Sequence, residues 1–250
     1  MSKRGIVERP SSSFQIQPQF KNMVGWFLRS MEKPLFGIHV DIDGLANLTG
    51  LSASAIIAPN HLSLADPLFD TVFMHCHVRD RKTYIAAKDS LWKPVLGKAI
   101  EKIGAWPVDR SGDPAASERF VAIGRNLLER GDHLLVYPQG TRRAIDEVLT
   151  KRGAIALSLA ANVPLVPMGQ MGTHEAYDPR DRGPVAVVIG EPIYPTQYTG
   201  LEGDTTEAGS FESLNRGARI QAIKNHHAAF DIAFQAVCAQ AQNRYAELTA

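Results

Sequence analysis

Ala55-Ile56-Ile57-Ala58-Pro59-Asn60-His61-Leu62-Ser63-Leu64-Ala65-Asp66-Pro67 is the stretch on which the fold turns. Four apolar residues stopped by Pro59 suit a short strand buried on both faces, since a half-exposed strand alternates instead. A mixed loop follows, and residues 67–78 have helical character. The same succession recurs downstream. Residues 83–87 read as a strand and 91–103 as a helix. Residues 116–129 form a helix stopped by Gly131, followed by an apolar strand over 133–137. A further helix at 153–161 precedes buried strands at 163–168 and 185–189. Short apolar strands alternating with helices predict an α/β fold, a mixed and largely parallel sheet flanked by helices.

Upstream, Phe36, Ile38, Val40 and Ile42 alternate with His39, Asp41 and Asp43, as in a half-exposed strand. Residues 1–18 are polar, rich in Ser, Gln and Pro, and are assigned no structure. From Gln19 onward, Phe20, Met23, Val24, Phe27, Leu28 and Met31 follow helical spacing until Pro34, which predicts a short amphipathic helix over 19–33. Residues 1–35 hold six Lys/Arg and two Glu, a local charge of +4 on a chain whose net charge is +1. Taken alone, this helix reads as one packed on its own core, although its composition also suits an anionic membrane surface. The chain thus divides into an N-terminal tail and helix, 1–34, and a main domain, 35–250. Residues 197–213 read as a surface loop, and 214–248 as a helix covering the sheet.

Composition narrows the function. At 250 residues and 44% hydrophobic the chain can bury a sizeable core, which excludes disorder throughout. The near balance of charge lacks the basic excess of nonspecific nucleic-acid binding. Cys76 and Cys238 stand apart without a Cys-x-x-Cys pair, which disfavours a zinc site or disulfide framework and suits a reducing compartment. His226 and His227 are neighbours on a predicted helix, point about 100° apart, and make poor metal co-ligands. No run of about 18 apolar residues predicts a membrane span. The best candidate, 154–168, is broken by Asn162, Pro164 and Pro167, and the N-terminus lacks the apolar stretch of a secretory signal. The expected location is the cytosol or a membrane surface.

Chemistry is expected where parallel strands end, because ligands of open α/β sheets bind at that edge. His61 and Asp66 lie in such a loop. The bland alternatives are a hydrogen-bonded structural imidazole and, for Asp66, a helix N-cap before Pro67. On one regular helix their side chains would diverge by about 140°, so contact between them requires an irregular loop. The Asp-Pro bond also disfavours a helical Asp66. Ser63 lacks the setting of a nucleophile, so the simpler chemistry has His61 deprotonate a hydroxyl supplied by the substrate. A second loop, Pro138-Gln139-Gly140-Thr141-Arg142-Arg143, offers close backbone approach at Gly140, donors, and Arg for a phosphate. A third loop, Gly104 through Arg110, brings another Arg.

Together these loops resemble the glycerolipid acyltransferase family that includes 1-acylglycerol-3-phosphate (lysophosphatidate) acyltransferases, over roughly residues 36–195. Asn60-His61 through Asp66 is similar to the family's Asn-His-x-x-x-x-Asp block, and Gly104 to Arg110 to its second block. Tyr137 to Arg142 resembles Phe-Pro-Glu-Gly-Thr-Arg, and Val163-Pro164-Leu165-Val166-Pro167 resembles the Val-Pro-apolar-Val-Pro block. Ala87-Lys88, Lys151-Arg152-Gly153 and Gly190-Glu191-Pro192 agree between them. The resemblance implies acyl transfer from acyl-CoA or acyl-carrier protein, as co-substrate, to the hydroxyl of a lysolipid, without metal, further cofactor or covalent intermediate. It implies that His61 is the base, that Asp66 orients it, and that Arg110 and Arg142 hold the acceptor phosphate. It places Gln139, Gly140 and Thr141 in the same substrate pocket, with a backbone N–H for the oxyanion, and carries Lys88 over as a further substrate-binding residue. It also raises the 19–33 helix to an anchor on the cytoplasmic face of a membrane, peripheral or monotopic.

One departure stands out, because Gln139 occupies the place of the family's Glu. The amide keeps length and hydrogen bonding but loses charge, so an ion pair to Arg110 or Arg142 becomes a neutral contact. Either the arginines are freer to meet a phosphate, or the acceptor is a different lysolipid. A non-catalytic lipid-binding protein on the same fold is the third alternative.

Overall fold

A computed structural model describes residues 38–78, 81–93, 97, 100–101, 104–109, 111, 113–176, 183–195 and 211–250. The strands are β1 (Val40–Asp43), β2 (Ile56–Pro59), β3 (Thr83–Lys88), β4 (Ala105–Val108), β5 (His133–Leu135), β6 (Leu165–Met171) and β7 (Val185–Ile189). They form a single sheet in the order β1-β7-β6-β2-β5-β3-β4. Neighbours run parallel throughout, except that β6 and β7 are antiparallel. The described helices are α1 (Ala46–Thr49), α2 (Asp66–His77), α3 (Pro114–Glu129), α4 (Gly153–Ala161), α5 (Thr173–Ala176) and α6 (Arg216–Thr249). The mixed, largely parallel α/β sheet expected from the sequence is therefore the fold.

The central strands are apolar at successive positions because both of their faces are covered. Ile56, Ala58, Tyr84, Leu134 and Val136 point to one side, against Leu127 and Leu128 of α3, Ile155 of α4, and Phe230 and Phe234 of α6. Ile57, Ile85, Leu135 and Val166 point to the other, against Phe69, Phe73 and Met74 of α2. Helix α6 crosses β6 at Gly169, where a Cβ would run into the Val237 carbonyl.

Several expectations change in detail. The loop expected over residues 104–110 contains strand β4, whose Pro107 is tolerated because it lies at the sheet edge. Strand β6 runs on through Gln170, a polar residue that alternation of apolar types does not reveal. Helices α1 and α5 are too short to carry a period. The helix expected at 91–103 and the loop at 197–213 lie largely outside the described residues; at their described borders Asp89–Leu91 and Phe211–Ser213 form single 3₁₀ turns. The polar tail and amphipathic helix of 1–34 lie outside them altogether.

The topology decides where the loops meet. Strands β2 and β5 are parallel neighbours, with Ile56 opposite Leu134 and Ile57 opposite Leu135. The chain after Pro59 and the chain after Leu135 consequently leave the same edge of the sheet. On the other flank Asn60 N–H donates to the Met168 carbonyl of β6 at 3.1 Å.

Candidate active site

His61 lies in the irregular loop between β2 and α2, with its Nδ1 2.9 Å from Asp66 Oδ2. The same Oδ2 accepts the N–H groups of Leu62 at 2.6 Å and Ser63 at 2.7 Å. Oδ1 accepts Ser63 Oγ at 2.9 Å and Thr173 Oγ1 at 2.5 Å. Asp66 is thus the first residue of α2 and not its N-cap; Ala65 takes that place without a side-chain cap bond. Both the N-cap and the non-helical expectation for Asp66 are corrected. Pro67 offers no N–H to cap, and the donors that hold the carboxylate lie in its own loop and on α5.

Burial would push the Asp66 carboxyl up, but the hydrogen bonds from His61, Ser63 and Thr173 outweigh it and hold the group below its ordinary value. An ionised carboxylate only accepts, so Nδ1 carries the proton and a neutral His61 has its lone pair on Nε2. The His61 side chain is 17% exposed and Asp66 fully buried, so the base can be reached while its partner cannot.

A second layer supports the imidazole. Tyr137 stacks on His61 with ring centroids 4.3 Å apart and 23° between planes. Its hydroxyl donates to Asp70 Oδ2 at 2.6 Å. Burial pushes the Asp70 carboxyl well above the ordinary range despite that bond. Asn60 and Gln170 exchange three bonds: Gln170 N–H to Asn60 Oδ1 at 2.7 Å, Asn60 Nδ2 to Gln170 O at 3.0 Å, and Gln170 Nε2 to Asn60 O at 3.1 Å. These fix the start of the loop to β6.

The other expected residues are distributed unevenly. Gln139 is 1% exposed. Its Oε1 accepts His61 N–H at 2.7 Å and its Nε2 donates to the Glu147 carbonyl at 3.1 Å. Gly140 has φ +69°, a left-handed turn position that glycine adopts without strain. Thr141 and Arg142 are exposed beyond it, and Arg143 N–H donates to the His61 carbonyl at 2.9 Å. Lys88 is exposed at the end of β3. Arg110 lies outside the described residues; Asp109 before it pairs with Arg119 at 2.9 Å. A cavity of about 490 Å³ adjoins the site, lined in part by Ala86, Phe120, Val121, Tyr137, Gly140 and Lys151.

Sequence reasoning did not single out Tyr137, Asp70, Thr173 or Gln170 as site residues. Tyr137 opens the 137–142 block that carries the family resemblance, and Asp70 follows Asp66 by one helical turn, a spacing that puts both on one face. Thr173 and Gln170 reach the site from 107 and 110 residues away, with no local signal. Among the described residues no group of three or more His, Cys, Asp or Glu is gathered for a metal ion. His226 and His227 diverge, the first to Ser158 Oγ at 3.1 Å and the second to Thr150 Oγ1 at 2.7 Å.

A family model described as Acyltransferase matches residues 39–171, which include His61, Asp66 and the 139–142 loop. A 1-acyl-sn-glycerol-3-phosphate acyltransferase of Bacillus subtilis (strain 168) is 31% identical over 142 residues, covering 57% of this chain and 68% of that protein. The protein of the same name from Cocos nucifera is 32% identical over 125 residues, 49% of this chain and 39% of its own length. The alpha form from Mus musculus is 27% identical over 151 residues, 60% of this chain and 51% of its own. The chain therefore spans about two fifths of that plant relative and half of the mammalian one. A crystal structure of an LPA acyltransferase, PlsC, from Thermotoga maritima is 19% identical, with a TM-score of 0.48 over 80% of this chain and 71% of that one.

Proposed function

The chain belongs to the acyltransferase family, and from that premise we propose that it moves a fatty acyl group from a thioester donor to the free hydroxyl of lysophosphatidate, giving phosphatidate. The observation that carries the proposal is the His61–Asp66 pair, a base of fixed tautomer at the ligand-binding edge of the sheet. Nε2 of His61 takes the proton of the acceptor hydroxyl as its oxygen attacks the thioester carbonyl. The tetrahedral intermediate expels the donor thiolate, and the imidazolium returns the proton to that sulfur. Asp66 stabilises the transient imidazolium and itself stays ionised.

Gly140, whose N–H is spent on the Tyr137 carbonyl at 3.0 Å, is proposed to line the pocket and Thr141 to present its backbone N–H to the oxyanion, with Arg110, Arg142 and Lys88 meeting the acceptor phosphate. The apolar cavity beside Gly140 falls within the usual volume of a small-ligand pocket and is proposed to hold an acyl chain. Acyl-CoA or acyl-carrier protein serves as donor. Residues 19–33 are proposed to hold the enzyme on the cytoplasmic face of a membrane. Gln139 is buried, so its missing charge does not by itself argue for another acceptor.

The test is thiol release from acyl-CoA by the purified chain, with lysophosphatidate, with a phosphate-free lysolipid, and with no acceptor. Release only with lysophosphatidate is expected. His61→Ala should lower it by about 10²–10⁴-fold with the circular-dichroism spectrum unchanged. Turnover retained in that variant would falsify the assignment of the base.

A further inference from the structure

We infer that Gln139 is a positioning residue that fixes the backbone of His61 and ties it to the loop carrying Arg142; the inference rests on the acyltransferase reading above. Both backbone groups of His61 are held by the chain after β5. Its N–H donates to Gln139 Oε1 at 2.7 Å, and its carbonyl accepts Arg143 N–H at 2.9 Å. The second end of the Gln139 amide is fixed as well, since Nε2 donates to the Glu147 carbonyl at 3.1 Å. Only one orientation of the amide serves both neighbours: a backbone N–H needs the oxygen and a carbonyl needs the NH₂. Arg143 Nη1 closes the segment on Glu147 Oε2 at 3.1 Å. The base loop and the 139–147 segment therefore move as one body, joined through a side chain that is 1% exposed.

This accounts for the amide where the related block has a carboxylate. A glutamate at 139 could still accept the His61 N–H. Its other oxygen would face the Glu147 carbonyl as a second acceptor, in a buried place where an unmet polar contact is expensive. In this chain the Glu147 carbonyl thus selects glutamine. Gln139 is also too enclosed to reach an acceptor, so it acts on the reaction through His61 and not by touching substrate.

The experiment compares Gln139→Met and Gln139→Glu with the unaltered full chain in two readouts, acyl-transfer kinetics and hydrogen exchange at the His61 amide. Methionine removes both bonds at similar volume. It should expose the His61 amide to exchange and lower kcat by about 10–100-fold, the scale of a misplaced catalytic group. The acceptor KM should stay within about twofold, because the exposed Arg142 side chain is left in place and Arg143 still holds its segment to Glu147, so the loss falls on the placement of His61. Glutamate keeps the acceptor but not the donor, so it should restore protection of the amide and part of kcat. A raised acceptor KM at unchanged kcat would make Gln139 a substrate contact and overturn the inference. So would loss of amide protection without loss of kcat. Should Gln139→Met fail to fold, Gln139→Glu decides alone: a protected amide with kcat lowered at constant KM supports the tether, and any other combination rejects it. An unaltered chain that consumes no donor overturns the acyltransferase reading, and exchange at His61 in the two variants then decides the tether separately.

Discussion

At the scale of single residues the site is organised around one carboxylate. Asp66 accepts from His61, Leu62, Ser63 and Thr173, so replacing it disturbs tautomer, loop and helix packing together. Asp66→Asn keeps the shape but brings a donor into a ring of donors. The expected result is a kcat lower by about 10³–10⁴-fold, as for other carboxylates that orient a catalytic His. Stability should change with a defined sign. A carboxyl whose folded value is depressed stabilises the fold above its ordinary value of 3.8 and loses that contribution as pH falls through the folded value. The variant should therefore show a flatter decline of melting temperature below about pH 4 than the unaltered chain. A steeper decline would contradict the ionised assignment. His61 and Asp66 were legible as a pair because both stand in one loop at a strand end. Their partners were not: Thr173 is brought in by folding alone, and Gln139 looked like a ligand because its burial leaves no trace in the sequence.

At the scale of elements, legibility followed length and covering. Helix α3 was plain from its stop signal, with Gly131 at φ +85° ending it in a left-handed position, and α4 likewise ends on a left-handed residue, Asn162 at φ 50°. Strand β4 was hidden because Pro107 reads as a break, and only the sheet edge makes it acceptable. That strand matters, since its Val108 lines the cavity together with Ala86 of β3, Val136 and Tyr137 just after β5, and Phe120 and Val121 of α3. If an acyl chain occupies this space, Val121→Phe shortens it. The added volume in a partly buried position should cost about 1–3 kcal/mol of stability. Donor preference should move toward shorter acyl-CoA, measured as the ratio of kcat/KM across a chain-length series, with kcat on the shortest donor retained. An unchanged ratio would place the acyl chain elsewhere on the sheet edge.

At the scale of the whole molecule the question raised by the proposed function is how the sheet edge would meet lysophosphatidate, an acceptor of bilayers. Among the described residues no helix is long and apolar enough to cross a membrane. The base loop itself presents apolar surface, with Leu64 79% exposed two residues before Asp66. The basic excess, by contrast, is concentrated in residues 1–35, a charge of +4. Each basic residue near an anionic surface contributes about 1 kcal/mol of attraction, and on the proposed attachment through this segment that term makes binding salt-sensitive. Deletion of residues 1–34 should therefore release the protein from anionic vesicles in sedimentation, and raised salt should weaken binding of the full chain. Turnover of a dispersed, short-chain acceptor should survive the deletion, because His61, Asp66 and the sheet lie outside it. Unchanged sedimentation of the shortened chain would instead assign membrane contact to the catalytic edge, where Leu64→Asp is the next substitution to measure.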